Sequence, residues 1–184
     1  MLLRQIQSVG DGDEMTEPVH VKVKQSLDAA RNLYYQLVLL VGGAGSGKTG
    51  VLHTLAEDCR TEVINVNLML SARLLELTPR KRTLHVPEIL GEIVETASTP
   101  VLLDNLEILF EKELRQDPLR LLLGISRNHL LAASWNGTAE EGKLIYAESG
   151  HPEYRRYDSI DPLIVNMNGK ATIDSAGNNK KAEQ

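Results

Sequence analysis

The sequence predicts an α/β fold in which a parallel, five-stranded sheet is flanked by helices. Short apolar runs of strand length recur along the chain, and segments with apolar residues at helical spacing separate them. This alternation favours parallel pairing, because each helix carries the chain back across the sheet to begin the next strand. The five runs occupy residues 37–41, 61–66, 101–104, 129–134 and 163–167.

The composition is that of a globular protein with one core. The chain has 184 residues, of which 42% are hydrophobic and 24% charged, and its net charge is −5. That charge argues against an extended basic surface for duplex DNA, although it leaves room for a local basic patch. Cys59 is the only cysteine, so no internal disulfide can form and a reducing cytoplasm fits. No apolar run approaches the length of a membrane span.

A glycine-rich stretch follows the first strand and fits the P-loop, or Walker A, pattern G-x-x-x-x-G-K-S/T. Small residues let the backbone wrap tightly and point its N–H groups at phosphate, and the next helix adds the positive end of its dipole. Lys48 can reach the β- and γ-phosphates and Thr49 can bind Mg²⁺. The alternative is a turn without a ligand. The predicted ligands are ATP and Mg²⁺, with the loop formed by Gly42, Gly43, Ala44, Gly45, Ser46, Gly47, Lys48 and Thr49.

Three regions are expected along the chain. Residues 1–20 predict a flexible N-terminal arm, residues 21–168 the P-loop domain, and residues 169–184 a polar, disordered tail. The domain begins with a helix over residues 21–36. At its end, Tyr34 and Tyr35 are placed to pack either against an adenine base or against the sheet.

A second motif is the apolar run that ends in Asp104, which is typical of a Walker B strand. A buried parallel strand would deliver this carboxylate beside the glycine-rich loop, because the carboxyl ends of parallel strands meet at one edge. There Asp104 and Thr49 would hold Mg²⁺ directly or through water.

The interval between the two motifs holds a strand and two helices, over residues 68–77 and 86–97, with Pro87 in the first turn of the second helix. This spacing favours the division of P-loop proteins in which another strand lies between the two motif strands, as in AAA+, RecA-like and ABC ATPases. A nucleotide or metabolite kinase is less favoured. The basic residues 79–82 break the two helices, and they form either a solvated loop or a contact for nucleic acid or an acidic partner.

Four further residues are candidates for catalysis. AAA+ ATPases place a glutamate directly after the Walker B aspartate, but here that position is Asn105. Glu107, on a predicted long helix, either activates water in its place or is a carboxylate stabilised by the helix dipole. Asn136 or Ser134 would sense the γ-phosphate. Arg127 is either an arginine finger for a neighbouring subunit, which requires a homo-oligomer, or a helix C-cap.

Residues 144–157 gather aromatic, arginine and histidine side chains in a chain with few aromatics. Such a mixture suits stacking, phosphate contacts or a protein interface. The alternative, equally weighted, is a packed insert before the last strand.

These stretches together resemble the BrxF family, the small P-loop proteins of type 3 BREX phage-defence systems. The likeness runs from about Tyr34 to Met167 and is carried by LVLLVGGAGSGKT, VLLDNLEILF, GISRN, AASWNG and KLIYAESGHPEYRRY. It implies an AAA+-like ATPase that restricts phage DNA together with other BREX proteins, with DNA contacted directly or through them.

The stretch after Met167 is too short for the helical lid of full AAA+ proteins, which predicts weaker nucleotide affinity. Arg155 or Arg156 would partly replace the lid arginines. The absent lid and Asn105 also support an alternative, a nucleotide-gated scaffold with little hydrolysis of its own.

Overall fold

The computed structural model describes residues 17–167, which form an α/β fold. The predicted arm, apart from residues 17–20, and the predicted tail lie outside the described residues. The helices are α1 Val19–Ala30, α2 Lys48–Cys59, α3 Val66–Leu74, α4 Pro79–Glu95 and α5 Pro118–Ser126, with short 3₁₀ turns at Glu107–Phe110 and Lys112–Leu114. The strands are β1 Leu37–Gly42, β2 Val63–Asn65, β3 Val101–Asp104, β4 Leu131–Glu140, β5 Lys143–Tyr146, β6 Arg155–Tyr157 and β7 Leu163–Asn166.

Five strands pair in parallel in the order β2-β3-β4-β1-β7, which confirms the predicted sheet. A strand does lie between β1 and β3, as the spacing of the two motifs predicted. That strand is β4, which follows β3 in the chain, whereas β2, the strand within the interval, lies at the edge. The carboxyl ends of β1, β3 and β4 therefore come together at one edge of the sheet.

Helices cover both faces of the parallel sheet. Side chains alternate along β1, so that Val38 and Leu40 pack with α1 and α2, while Leu37 and Leu39 pack with α3, α4 and α5. Every residue of β1 and β3 is buried, as expected for parallel strands with both faces covered. Among the helices described between residues 17 and 167, none is long and apolar enough to cross a membrane.

The helix bounds differ from prediction in three places. α1 begins at Val19 and ends at Ala30, so Tyr34 falls in the connection to β1 and is 65% exposed. The basic residues 79–82 do not break a helix but form the first turn of α4, because proline at the first helical position needs no N–H partner. Pro87 consequently lies inside α4 and not in its first turn.

The chain after β3 forms two 3₁₀ turns in place of the predicted long helix. Asn105 has a left-handed backbone with φ 55°, and Glu111 is extended with ψ 125°, so a continuous helix cannot form. The first turn buries Ile108, Leu109 and Phe110 against the core. Glu107 opens that turn immediately beside the end of β3.

An antiparallel extension of β4 was not predicted. The predicted strand ends at residue 134, but β4 continues to Glu140 and pairs with β5, which pairs in turn with β6. Gly137 permits this pairing, because a Cβ at that position would lie 1.8 Å from the carbonyl oxygen of Ile145. One face of the hairpin carries an aromatic cluster formed by Phe110, Trp135, Tyr146 and Tyr157.

Candidate functional site

Residues 42–49, here called the glycine loop, join the buried end of β1 to the start of α2. Gly45 and Gly47 have φ of 75° and 91°, a left-handed backbone that favours glycine. A Cβ added at Gly42 would lie 2.5 Å from Ser46 Oγ and 2.9 Å from the Cβ of Met167. The loop is therefore a tight concave backbone that larger residues at these positions would fill or distort.

Lys48 turns its side chain back into this loop, where only 6% of the residue is exposed. Its Nζ donates to the carbonyl oxygens of Gly42 at 2.8 Å and Gly43 at 2.6 Å, and to Ser46 Oγ at 3.1 Å. Burial lowers the pKa of the ammonium, and the nearby carboxylates of Asp104 and Glu107 partly oppose that shift. The result is a desolvated cation whose three donors point into the loop.

Asp104 is only 5% exposed, and each oxygen of its carboxylate accepts a hydrogen bond from a hydroxyl group. Thr49 Oγ1 donates to Oδ2 at 2.7 Å, which brings the two predicted Mg²⁺ ligands into contact. Ser134 Oγ donates to Oδ1 at 2.6 Å from the neighbouring strand β4. Ser134, one of two sensor candidates, is thus a hydrogen-bond partner of Asp104.

The second sensor candidate, Asn136, contacts a different carboxylate. Its Nδ2 donates to Glu107 Oε1 at 2.7 Å. Glu107 reaches this point because the chain turns at Asn105, whose carbonyl oxygen accepts from the backbone N–H of Asn67 at 2.9 Å. The structure therefore brings Glu107 to the same edge of the sheet as Lys48 and Asp104.

A cavity of about 350 Å³ unites these groups. It opens at the carboxyl ends of β1, β3 and β4, the position at which open α/β sheets bind ligands. Oxygen ligands of the kind that Mg²⁺ prefers are present in Thr49 and Asp104, and the loop backbone is concave, so the residues fit a magnesium-bound phosphate. The lining residues are Ala44, Gly45, Ser46, Gly47, Lys48, Thr49, Asp104, Asn105, Glu107, Ser134 and Asn136.

Arg127 does not contribute to this cavity within the chain. It is the C-cap residue of α5, and its guanidinium carbon lies 5.1 Å from the ring centroid of Tyr34. The backbone N–H of Gln36 donates to the carbonyl oxygen of Ser126 at 2.9 Å, so α5 ends beside the start of β1. This is the edge of the sheet opposite to the one that carries the cavity. Arg127 is therefore the helix C-cap, as one of the two alternatives predicted, and its role as an arginine finger stays a prediction. Tyr34 lies with Arg127, away from the glycine loop.

Arg155 and Arg156, the two arginines predicted to replace a lid, lie in β6 and have other contacts. Arg156 Nη2 lies 2.8 Å from Asp158 Oδ1, and neither Arg155 nor Arg156 lines the cavity.

Burial raises the pKa of the Tyr146 phenol well above its ordinary value, and the charge of Glu107 raises it further. Of the two interpretations of residues 144–157, the buried aromatic cluster supports the packed insert.

Sequence reasoning missed how this insert supports the site. Phe110 stacks on Tyr146 with ring centroids 3.3 Å apart, which fixes the turn that begins at Glu107 against the hairpin. The Trp135 indole N–H donates to the carbonyl oxygen of Ile145 at 3.0 Å and holds the two hairpin strands together beside Asn136. The clustering of the scarce aromatics in one part of the chain was the available signal.

The chain matches no protein-family model, no curated protein and no solved structure. The geometry of the cavity and the two sequence motifs therefore carry the functional argument. That geometry combines a desolvated ammonium, a threonine–aspartate oxygen pair and a separate glutamate on one rim, which suits binding of a polyphosphate and activation of a water beside it.

Proposed function

We propose that this protein binds Mg-ATP and hydrolyses its terminal phosphate, as a P-loop NTPase with an AAA+-like core and no helical lid. The observation that carries the proposal is the convergence of Lys48, the Thr49–Asp104 pair and Glu107 on one cavity at the edge of the sheet. The strand order, with β4 between β1 and β3, supports the same division of P-loop proteins.

Binding follows from the glycine loop. The N-terminus of α2 favours an anion, and Lys48 exchanges its contacts with the Gly42 and Gly43 carbonyls for phosphate oxygens. Phosphate contact restores charge stabilisation to an ammonium that burial had made easier to deprotonate.

The metal would be held by Thr49 and Asp104. A magnesium ion held there would neutralise charge on the phosphates and help to orient them. Ser134 keeps the Asp104 carboxylate in one orientation through its bond to Oδ1, so that Oδ2 and the threonine hydroxyl face the cavity. This is a positioning role for Ser134.

Glu107 is the proposed general base, which accepts a proton from the attacking water. Its position three residues beyond Asp104, where AAA+ proteins use the next residue, follows from the left-handed turn at Asn105. Asn136 donates to Glu107 Oε1, which leaves Oε2 free of that bond to face water. Asn136 is also close enough to the rim to sense a γ-phosphate.

The biological setting of the proposal rests on the resemblance to the BrxF family. In that setting the protein is a cytoplasmic, homo-oligomeric component of a BREX phage-defence system that acts with other BREX proteins on DNA. Arg127 would then serve the cavity of a neighbouring subunit, after leaving its contact with Tyr34.

A nucleotide-gated scaffold is the second candidate. The observation that favours it is the 2.7 Å bond from Asn136 to Glu107, which competes with water for the carboxylate. If that bond persists when nucleotide binds, the chain would change conformation or assembly with little turnover.

Phosphate release from Mg-ATP by the purified chain separates the two candidates. Lys48→Ala should lose both nucleotide binding and turnover. Glu107→Gln should keep nucleotide binding and lose turnover by roughly 10²- to 10⁴-fold, the usual contribution of a general base. Glu111→Gln is the matched control, because Glu111 is an exposed glutamate on the same segment, outside the cavity.

Each other outcome has a definite meaning. Binding that depends on Lys48 without turnover would favour the scaffold. Turnover that survives Glu107→Gln would refute the base assignment. Absence of Mg-ATP binding by the unaltered chain would refute the proposed function altogether.

A further inference from the structure

A groove separate from the phosphate cavity runs between the N-terminal half of α4 and one side of α5. It consists of two adjoining cavities of about 550 and 520 Å³ that share Arg115. We call it the arginine groove and define it by Arg80, Leu84, Pro87, Arg115, Arg120 and Gly124. None of these residues lines the phosphate cavity.

The groove has a surplus of positive charge on a chain whose net charge is −5. Arg80, Arg115 and Arg120 are exposed, and among residues 17–167 no carboxylate oxygen lies within 4.0 Å of their guanidinium nitrogens. The Asp117 carboxylate is already engaged, since Oδ1 accepts from the Arg120 backbone N–H at 3.1 Å and from Tyr157 at 3.2 Å. Glu113 is the other acid on the rim.

Arg115 is held at the junction of the two cavities by a strained backbone. Its φ of 50° is left-handed, which costs a residue with a Cβ on the order of 1 kcal/mol. The adjacent Gln116 fixes this turn to α4, because its Nε2 donates to the carbonyl oxygens of Leu114 at 2.7 Å and Thr83 at 2.8 Å. Strain retained in this way often marks a functional position.

Gly124 lies in the same groove, inside α5. Glycine within a helix costs roughly 0.5–1 kcal/mol relative to alanine. Its backbone is not left-handed, and a Cβ added there would meet no atom within 4 Å, so nothing in the described chain requires glycine. Close approach of another backbone would require it. On α4, Leu84, which is 68% exposed, and Pro87 add apolar surface to the groove.

We propose that the arginine groove binds an acidic amphipathic helix of a partner protein. Carboxylates on one face of such a helix would pair with Arg115 and Arg120, while small apolar residues pack on Leu84 and Pro87 beside Gly124. Nucleic acid suits the groove less, because no aromatic side chain among its described lining residues offers a stacking surface. This proposal is independent of ATP binding.

The test uses the full chain and a fluorescent synthetic helical peptide with glutamate on one face and leucine and alanine on the other. The same peptide with lysine for glutamate, and single- and double-stranded DNA, are the comparison probes. Fluorescence anisotropy should show binding of the acidic peptide alone. Arg115→Ala should weaken it by about tenfold or more, the loss expected for a charge-assisted hydrogen bond.

Arg60→Ala is the matched control for Arg115→Ala, because Arg60 is also an exposed arginine with a left-handed backbone, φ 55°, and lies outside the groove. Gly124→Leu should abolish peptide binding while circular dichroism stays unchanged, since the added side chain fills the groove without a clash at its Cβ. Arg120→Glu, which reverses charge at an exposed site, provides a second variant if Gly124→Leu fails to fold.

Four results would overturn the proposal. The acidic peptide fails to bind, or it binds equally to the Arg115→Ala and Arg60→Ala proteins. DNA binds in its place and is lost in the groove variants, which would assign the groove to nucleic acid. The chain self-associates through the groove, detected as a dimer that Gly124→Leu dissociates, which would assign the groove to a second copy.

Discussion

At the scale of single residues, Asn105 decides where the Glu107 carboxylate lies. Asparagine tolerates the left-handed backbone better than other residues with a Cβ, because its short amide can bond locally. With φ at 55°, the chain turns back toward the sheet and places Glu107 on the rim of the cavity. A glutamate at position 105 would have to adopt the same strained backbone, which agrees with the proposal that Glu107 supplies the base.

Substitutions at this position should reveal the strain. Asn105→Gly should leave the free energy of unfolding nearly unchanged, whereas Asn105→Ala should lower it by about 1 kcal/mol, because alanine is strained at positive φ. Chemical denaturation followed by circular dichroism measures both. Asn67→Ala, at an exposed asparagine inside α3, is the control, and an equal loss in it would remove the backbone explanation.

The residues proposed to bind phosphate and Mg²⁺ were predictable from sequence, and their hydrogen-bond partners were not. Lys48 and Thr49 were placed correctly because they have a fixed spacing within the loop, and Asp104 because the carboxyl ends of parallel strands meet at one edge. The sequence left Ser134 and Asn136 as alternatives for one role, whereas each contacts a different carboxylate. The sign of φ at Asn105 determines that division, and no residue pattern reports it.

At the scale of elements, the hairpin formed by β4 and β5 is a structural support for the site. The two strands approach so closely at Gly137 that a Cβ would meet the Ile145 carbonyl carbon at 2.8 Å, as well as its oxygen. The neighbouring bond from Trp135 to that carbonyl, and the aromatic cluster, depend on this approach.

Gly137→Ala should therefore separate the strands and displace Asn136. We expect a loss of stability of roughly 1–3 kcal/mol, as in other overpacked sites, and a fall in phosphate release that exceeds the fall in nucleotide binding. Thermal denaturation and the phosphate assay measure the two effects. Gly91→Ala is the control, because a Cβ there meets nothing within 4 Å and alanine favours the helix.

The central strands β1 and β3 were predictable because each is a continuous apolar run buried on both faces. The hairpin was not, because Asn136 and Gly137 have the composition of a turn yet continue β4. For the same kind of reason, Pro79 was read as a helix break and proved to be a helix start.

At the scale of the whole molecule, two tyrosines, Tyr146 in β5 and Tyr157 in β6, make the free energy of unfolding sensitive to alkaline pH. Burial raises the pKa values of Tyr146 and Tyr157 above the ordinary value of 10.0. Below pH 10 these phenols are protonated in both the folded and unfolded states. Above pH 10 the unfolded chain releases their protons while the folded chain retains them, so the free energy of unfolding falls.

This dependence is measurable by denaturant titration between pH 8 and about 11, above the unfolded tyrosine pKa. Tyr146→Phe and Tyr157→Phe should each lessen the decline in stability above pH 10. Tyr34→Phe, which removes a hydroxyl from a ring that is 65% exposed, controls for loss of a tyrosine as such. If stability falls as steeply above pH 10 in Tyr146→Phe and Tyr157→Phe as in the unaltered chain, these two tyrosines are not the cause of the pH dependence.

The strand β4 belongs to two sheets at once. Its first half pairs with β1 and β3, and its second half pairs with β5. Ser134 and Asn136 lie two residues apart near the junction, so both project to the same side of the strand while Trp135 projects to the other. A displacement of β5 relative to the parallel sheet would therefore be transmitted through β4. It would move Ser134, the donor to Asp104, and Asn136, the donor to Glu107, together.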